Sequence, residues 1–328
     1  MKFLPRWRGL LSVLAVAVSS VIFAAPSDVV SVVGDSTQWT ATKWSADDAA
    51  LFGGMPVYHG THKDLILVRY SFYVSNYDAE QLCPLWVAHV DEADALGKAP
   101  SRTSGHDPKW KRPAKFFPDP NVIAFSNRLH RPYVVHDSFT NCNPSELPSG
   151  VGVRTDITRG HNASNEEMKL QGDDDEGAVS QHESFSLANI SPQTQGNNAP
   201  LWAELEKDCL IWAQKIGRVA VITGPVFMPD ATLPAPVNGV LMTNGTKGPM
   251  ILIPTHFFKI IIGKIDGKFA AVAFLVPHLS DLPKDGYKKF AVSIADVERA
   301  TNLSFFPDAQ IPPAKSLPDD RWLRMLVN

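Results

Sequence analysis

The sequence predicts an α+β fold in which several strands pair mainly antiparallel and only a few helices form. Two observations support this prediction. Apolar, β-branched and aromatic runs recur along the chain, and one long segment has helical periodicity. A mixture of antiparallel strands with few helices is typical of the α+β class.

Strands are predicted at 65–74 and 85–90, paired around a loop at 75–84, because both runs are rich in β-branched and aromatic residues. Four further strands are predicted at 219–222, 250–254, 257–262 and 269–276. Residues 26–60 are predicted to be irregular, because glycine and proline punctuate them. Residues 91–150 are polar and rich in proline, which predicts a long surface excursion.

One helix is predicted by apolar residues at spacings of three and four. This stripe consists of Leu201, Leu205, Cys209, Trp212 and Ile216. Asn198 suits the N-cap and Gly217 suits the end of this helix. Asn198 and Glu206 are eight residues apart, so their side chains are separated by about 80° around a helix axis. Both can therefore lie on the side away from the stripe and contact the same bound group. A second, shorter helix is predicted at 294–300.

The first residues of the 328-residue chain have the pattern of a secretory signal. Lys2, Arg6 and Arg8 precede an almost unbroken apolar stretch at 9–23. We predict cleavage after Ala24, and therefore a secreted or periplasmic protein without stable membrane association. An uncleaved anchor is the alternative, but about 15 apolar residues are short for a span of roughly 20.

Composition limits the classes of function. The chain is 44% hydrophobic, enough to bury a sizeable core. Without residues 1–24 it would hold 28 basic and 34 acidic residues, a net charge of −6. This balance excludes a protein that coats nucleic acid through a broad basic face. It does not exclude an enzyme that binds one or two phosphates locally.

Three cysteines remain after the predicted cleavage, Cys83, Cys142 and Cys209. In an oxidising compartment, one disulfide and one free thiol are expected, and the sequence does not identify the pair. Cys209 lies on the apolar helix stripe, which favours a buried structural thiol.

His161 and Arg159 are candidates for phosphodiester chemistry. They lie two residues apart near an expected strand end, so their side chains point to the same side. A neutral imidazole can take a proton from water near neutral pH, and an arginine can bind phosphate through two parallel hydrogen bonds. The alternatives are a structural histidine and a salt bridge from Arg159 to Asp156.

Four further polar residues have both a catalytic and a structural interpretation. Asn198 is either a helix cap or an oxygen ligand of Mg²⁺, which retains several waters in protein sites. Glu206 is either a solvated charge or the group that holds one of those waters. Asn189 and Gln193 are either turn residues or groups that orient His161 and the substrate. The acidic run at 173–176 lacks the spacing of a calcium loop, which favours a flexible, solvated insertion.

In combination, these residues resemble the signature of the DNA/RNA non-specific endonuclease family, the ββα-metal (His-Me finger) nucleases that include endonuclease G relatives. That signature reads Asp-Arg-Gly-His, then Asn-x-x-Pro-Gln, then Asn-x(3)-Trp-x(3)-Glu. The matching residues are Arg159, Gly160, His161, Asn189, Pro192, Gln193, Asn198, Trp202 and Glu206. The likeness extends over about residues 50–307, so a single endonuclease domain over 25–328 is expected.

The resemblance implies a ββα-metal core within a central, mostly antiparallel sheet flanked by helices. It implies that His161 is the general base that activates water. It also implies that Asn198 is the direct protein ligand of Mg²⁺, for which Mn²⁺ can substitute, and that Glu206 holds a metal-bound water. Products would carry 5′ phosphates. The upstream arginine of the family corresponds to Arg112, with Arg128 and Arg131 as alternates.

Two departures from the family pattern stand out. Thr158 replaces the usual acid before Arg-Gly-His, so the role of that carboxylate is lost or is taken by the hydroxyl. An acidic insertion at 171–177 follows His161 and is expected to narrow or repel the substrate path.

The sequence therefore predicts a Mg²⁺-dependent endonuclease that hydrolyses DNA and RNA with little sequence preference, with a homodimer left open. Two alternatives remain. The first is a phosphodiesterase for small or lipid-linked phosphodiesters, which the negative charge favours slightly. The second is a catalytically retired binding module of the same fold.

Overall fold

The computed structural model describes residues 32–33, 38–102, 107–135, 157–228, 240–242, 250–279, 282–283, 286–308 and 321–326. The predicted signal sequence at 1–24 and Cys142 lie outside these ranges. Across these ranges, no helix has both the length and the apolar character needed to cross a bilayer.

Fourteen strands are present in the described ranges. They are β1 Val32–Val33, β2 Val57–Tyr58, β3 Leu65–Arg69, β4 Tyr73–Asp78, β5 Cys83–Glu92, β6 Ile157–His161, β7 Ile190–Thr194, β8 Arg218–Val226, β9 Val240–Met242, β10 Met250–Leu252, β11 His256–Ile265, β12 Lys268–Pro277, β13 Ala291–Val292 and β14 Leu303–Ser304.

The same part of the chain holds eight α-helices. They are α1 Ala46–Leu51, α2 Ala95–Lys98, α3 Pro120–Arg128, α4 Asn165–Met168, α5 Asp174–Glu183, α6 Ala203–Ile216, α7 Ile294–Thr301 and α8 Arg321–Arg324. Short 3₁₀ turns lie at Pro108–Trp110, Leu187–Asn189 and Gly286–Phe290, and a π-helical turn at Asn197–Trp202 leads into α6.

A central sheet organises the fold. Its strand order is β1-β3-β4-β5-β8-β11-β12-β13, and every neighbouring pair is antiparallel. One face carries a buried core with side chains from α1 and α7, and the other carries a core with side chains from α6 and α8. The predicted α+β class, with an antiparallel sheet flanked by helices, is confirmed.

The prediction at 65–74 was wrong in its boundaries. The Tyr70 N–H donates to the Tyr73 carbonyl at 2.9 Å, so the run folds back into two strands, β3 and β4. The predicted loop at 75–84 is consequently strand at both ends, 75–78 in β4 and 83–84 in β5. The turn into β5 is held by Asp78 Oδ1, which accepts from the backbone N–H groups of Glu80 and Gln81. The strands predicted downstream and the helix at 294–300 are confirmed as β8, β10, β11, β12 and α7.

Helix capping explains one helix in each of two segments for which no helix was predicted, the irregular segment 26–60 and the surface excursion 91–150. Within 26–60, α1 begins at Ser45, which forms a reciprocal capping box with Asp48. Within the proline-rich excursion, α3 begins after Asp119, whose carboxylate accepts two backbone N–H groups. Pro120 occupies the first helical position, where a missing N–H costs nothing.

The interpretation of the acidic run as a flexible insertion was wrong. Asp173 caps α5 and pairs with Glu176 in a capping box, and carboxylates suit the N-terminal turn of a helix. Three cations pair with the following acids: Arg102 with Asp174, Lys109 with Asp175 and Lys43 with Glu176. Three of the four acids at this helix start are therefore paired with cations, and none of the four lines the cleft described below.

The predicted cap of α6 was also wrong. The helical stretch begins one residue before Asn198, with Gly196 at the N-cap position. Pro200 is the fourth helical residue, where an α-helix needs the N–H that proline lacks and where its ring meets the carbonyl four residues earlier. The wider π turn avoids this conflict. Gly217 ends α6 as predicted, at φ 98°.

Cys83 and Cys209 are buried free thiols, and every pair of the three cysteines includes at least one of them, so the prediction of a disulfide among the three was wrong. Burial raises the pKa of both groups well above its usual value. The interpretation of Cys209 as a buried structural thiol is confirmed.

Candidate functional site

The site is built on a two-stranded ribbon followed by a helix. Antiparallel pairing of β6 and β7 sets Thr158 opposite Gln193 and His161 opposite Ile190. Gly160 is required because the Gln193 side chain folds across it. A Cβ there would lie 2.1 Å from Gln193 Oε1. The π turn and α6 follow β7 directly, so ribbon and helix form one compact ββα unit.

The His161 ring is held in an aromatic cage at the end of β6. Its centroid lies 5.2 Å from that of Phe116 and 5.1 Å from that of Phe185. Burial, and then the positive charge of Arg112, lower the pKa of His161 to about 3. The imidazole is therefore neutral near pH 7. Within the described structure, its Nε2 makes no hydrogen bond.

The loop after His161 is clamped by Asn189, which is fully buried. Its Oδ1 accepts the Ala163 N–H at 2.8 Å, and its Nδ2 donates to the carbonyls of Ala163 at 2.8 Å and Ser184 at 2.9 Å. A second amide supports the same loop, because Asn162 Nδ2 donates to the Asn189 carbonyl at 2.9 Å. The backbone that carries His161 is thus tied to the segment before β7.

Thr158 fixes the orientation of the Asn198 amide. The Thr158 hydroxyl donates to the Gln193 carbonyl at 2.9 Å, so its oxygen is left to accept from Asn198 Nδ2 at 3.3 Å. The Asn198 carbonyl oxygen therefore remains available as an acceptor or ligand. The Thr158 hydroxyl thus orients Asn198. This was one of the two alternatives proposed for the position where the family has an acid.

An open cleft of about 340 Å³ brings the main candidates together. It is lined by Arg112, His161, Ser164, Asn165, Glu166, Gln195, Asn198, Ala199, Ala203 and Glu206. Glu206 is half-buried in its wall, and desolvation together with the charge of Glu167 raises the pKa of Glu206 to about 8. A carboxyl group so disfavoured in its charged form is one that a bound cation would stabilise.

The structure distinguishes among the three candidate arginines. Arg112 lines the cleft and stacks over Phe185 at 5.2 Å. Arg131 pairs with Asp64 at 2.7 Å, and Arg128 lies over Phe125. Neither alternate lines the cleft, so Arg112 is the one of the three that lies there.

Three predicted site residues do not line the cleft. Arg159 stacks over Phe116 at 5.2 Å, on the ring that also contacts His161. Gln193 is buried and donates to Asn197 Oδ1 at 2.7 Å. Asn189 is buried behind His161. The expected substrate contacts of Gln193 and Asn189 do not agree with this burial, because the Asn189 amide and the Gln193 amide nitrogen are used in internal hydrogen bonds.

Sequence reasoning missed Phe185 and the polar residues Ser164, Asn165, Glu166 and Gln195, which line the cleft or hold the His161 ring. Ser164, Asn165 and Glu166 reach the cleft from the start of α4, Gln195 from the turn after β7, and Phe185 reaches the His161 ring from the segment after α5, placements that no motif in the sequence indicated.

The donor set of the cleft suits a hard divalent cation. Asn198 offers an amide oxygen, and Glu206 offers a carboxylate on the same wall. Oxygen donors in an open, hydrated cleft match a cation that keeps several of its own waters. The residues therefore fit Mg²⁺ or a similar ion.

Comparisons with known proteins agree with the motif. A family model described as DNA/RNA non-specific endonuclease matches residues 57–310. Nuclease EXOG of Danio rerio is 30% identical over 74% of this chain, which spans 61% of that relative. Nuclease C1 of Cunninghamella echinulata var. echinulata is 30% identical over 75% of this chain and 84% of that relative.

A solved complex between EndoG and EndoGI aligns with a TM-score of 0.54 at 24% identity, covering 83% of this chain and 95% of that one. This likeness confirms the predicted ββα-metal fold. The predicted secreted or periplasmic localisation is contradicted, because the Danio rerio relative and relatives from mouse, human and two yeasts are named mitochondrial nucleases.

Proposed function

The chain belongs to the DNA/RNA non-specific endonuclease family, and from this premise we propose that it hydrolyses phosphodiester bonds in DNA and RNA with little sequence preference. One observation carries the proposal: a caged, neutral His161, Arg112, Asn198 and Glu206 line a single open cleft.

His161 is the general base in this proposal. Its neutral ring has a lone pair to accept a proton from water, and the Phe116 and Phe185 rings restrict its orientation. A base with a pKa of about 3 is weak, but a bound phosphodiester brings negative charge that offsets Arg112. We therefore expect the pKa of His161 to rise when substrate binds.

Asn198 and Glu206 hold the cation in this proposal, Asn198 directly and Glu206 through a bound water. When bound, Mg²⁺ or Mn²⁺ supplies Lewis-acid stabilisation of charge on the leaving 3′ oxygen, which yields 5′-phosphate products. Thr158 supports Asn198, because its hydroxyl occupies the amide nitrogen and leaves the amide oxygen for the ion.

Arg112 offsets charge on the phosphorane-like transition state in this proposal, since its guanidinium lines the cleft. Arg159 and Asn189 act as positioning residues. Arg159 packs on the ring that contacts His161, and Asn189 ties down the loop that follows it. Gln193 likewise supports the ribbon, because its amide is bonded to Asn197.

The proposal is tested with supercoiled plasmid and total RNA, each with Mg²⁺, with Mn²⁺ and with chelator. We expect the wild-type protein to cut both nucleic acids only with metal, and to leave ends that a ligase joins without prior phosphorylation. His161→Ala should lower turnover by roughly 10²–10⁴-fold. Asn198→Ala should lose the response to Mg²⁺, whereas the exposed His130→Asn should behave as wild type.

Near wild-type cleavage by His161→Ala would refute the assignment of the base. Cleavage of neither nucleic acid, with hydrolysis of a small phosphodiester such as bis(p-nitrophenyl) phosphate, would support the alternative substrate class. Inactivity on every substrate by a folded wild-type protein would support a retired binding module.

A further inference from the structure

A second polar cluster lies inside the protein, on the sheet face that α6 covers. His89 and Asp91 are two residues apart on β5 and therefore share this face. Thr223 of β8 and Lys259 of β11 are directly paired in the next two strands. Glu167 of α4 reaches the same region from the loop that follows the proposed base. All five residues are buried.

The cluster is rich in polar atoms that lack a hydrogen bond within the described residues. These atoms are His89 Nδ1, His89 Nε2, Asp91 Oδ2, Glu167 Oε1, Thr223 Oγ1 and Lys259 Nζ. Buried polar groups are almost always satisfied, because each unmet one costs about 1–3 kcal/mol. A concentration of such atoms at one place therefore indicates a bound occupant.

The spacing of three of these groups identifies the class of occupant. His89 Nε2 lies 3.4 Å from Glu167 Oε2 and 3.7 Å from Asp91 Oδ2. A direct, charge-assisted hydrogen bond would close to about 2.7–2.9 Å. Two ligands at a tetrahedral angle, each about 2.0–2.2 Å from an ion, are separated by roughly 3.3–3.6 Å. The 3.4 Å gap falls within this range and the 3.7 Å gap lies just above it, so both suit ligands around a small cation better than a direct hydrogen bond.

From this geometry we propose that His89, Asp91 and Glu167 form a buried binding site for a first-row divalent metal ion, best matched by Zn²⁺. One imidazole and two carboxylates are a donor set that such ions accept. Their ligand atoms all lie within 4.8 Å of one another. Each carboxylate also has a protein contact, Glu167 with the Ser164 N–H and Asp91 with Gln171, which orients it.

The charges of the interior are compatible with this ion. Two carboxylates face the His89 ring, so this position attracts positive charge, and a bound metal ion would take the place of a proton on the imidazole. Lys259 adds a second positive charge, with its Nζ 5.2 Å from the Trp202 ring centroid. Asp91 and Glu167 together would balance the two positive charges of the ion.

This site is separate from the cation site proposed in the cleft. None of its three ligands lines the cleft that holds His161, Asn198 and Glu206. Its ligands are buried, whereas the cleft is open. A metal ion here would join β5 to α4 and thereby brace the loop behind the proposed base. The inference does not depend on nuclease activity.

The test uses full-length protein that has been stripped with EDTA and titrated with Zn²⁺ in a calorimeter. We expect one tight equivalent in the wild type, in Asn198→Ala and in the exposed control Asp94→Asn. Glu167→Gln and Asp91→Asn should each bind at least a hundredfold more weakly. Two variants are used so that a folding failure in one, detected by circular dichroism, leaves the other informative.

A crystal soaked with Zn²⁺ should give an anomalous peak between His89 and Glu167. Zn²⁺ should also raise the Tm of wild type and of Asn198→Ala alike, which needs no variant within the cluster. Absence of a tight equivalent in the wild type, undiminished binding by Glu167→Gln, or a peak at other residues would overturn the proposal. Loss of the equivalent in Asn198→Ala would assign the ion to the cleft and overturn it as well.

Discussion

Replacing His161 with phenylalanine tests whether the protein holds this ring neutral by burial. The folded pKa is about 3, and the unfolded value is about 6.5. The unfolded chain therefore binds more protons between these values, so stability is complete above about pH 6.5 and is lost as the pH falls towards 3. When the pH falls from 7.5 to 4, the lowered pKa of His161 should by itself reduce the free energy of unfolding by roughly 3 kcal/mol.

Phenylalanine retains an aromatic ring against Phe116 and Phe185 but cannot take up a proton. Between these two pH values, the free energy of unfolding of His161→Phe should therefore fall by roughly 3 kcal/mol less than that of the wild type. Urea unfolding at pH 7.5 and pH 4 measures the difference. Other titrating groups, such as Glu183 with its pKa raised to about 7 by burial, are common to both proteins and cancel.

His130→Asn is the matched control, because this histidine is exposed and asparagine tolerates its positive φ of 54°. The control should follow the wild-type pH dependence. An equal loss of stability in wild type and His161→Phe would refute the reasoning, since it would mean that the ring is protonated as easily in the folded protein as in the unfolded chain.

Two further predictions concern the neighbours of the base and of the cation. Thr158→Asp should restore a carboxylate beside Asn198 and lower the Mg²⁺ concentration for half-maximal activity on the order of tenfold; an unchanged or higher requirement would contradict the contribution expected from the carboxylate charge. Asn189→Ala should leave three backbone groups unsatisfied and cost roughly 3–5 kcal/mol in urea unfolding, whereas the exposed Asn127→Ala should cost less than about 0.5 kcal/mol. An equal cost for the two variants would show that the clamp does not stabilise the loop.

Local patterns predicted the main elements because those elements depend on neighbouring residues. The apolar stripe of α6 and its end at Gly217 follow from helical periodicity and from the freedom of glycine at positive φ. The predictions of strand and loop boundaries were wrong where a single local hydrogen-bonded turn or helix cap determines the backbone against the trend of the surrounding composition. A turn at Tyr70 divides a continuous apolar run, and caps at Ser45 and Asp119 begin helices among residues that otherwise favour loops.

For the site, the sequence motif identified His161, Asn198 and Glu206, and the structure brings these three to one cleft. The motif did not separate side chains that face the cleft from those that support it. Asn189 and Gln193 stand beside the cleft residues in sequence, yet their amides are used inside the protein. Arg112 became distinguishable from Arg128 and Arg131 only through its position in the wall of the cleft.

The sequence alone determined the residue types and their order, and with them the family and the chemistry that a histidine, an asparagine and a glutamate can perform. Only the tertiary structure decided which atoms are exposed, which are paired, and how far each pKa moves. Burial and the contacts of His89, Asp91 and Glu167 depend on strands and helices that are distant along the chain. Desolvation and Coulomb interactions act through space, so no spacing in the sequence records them.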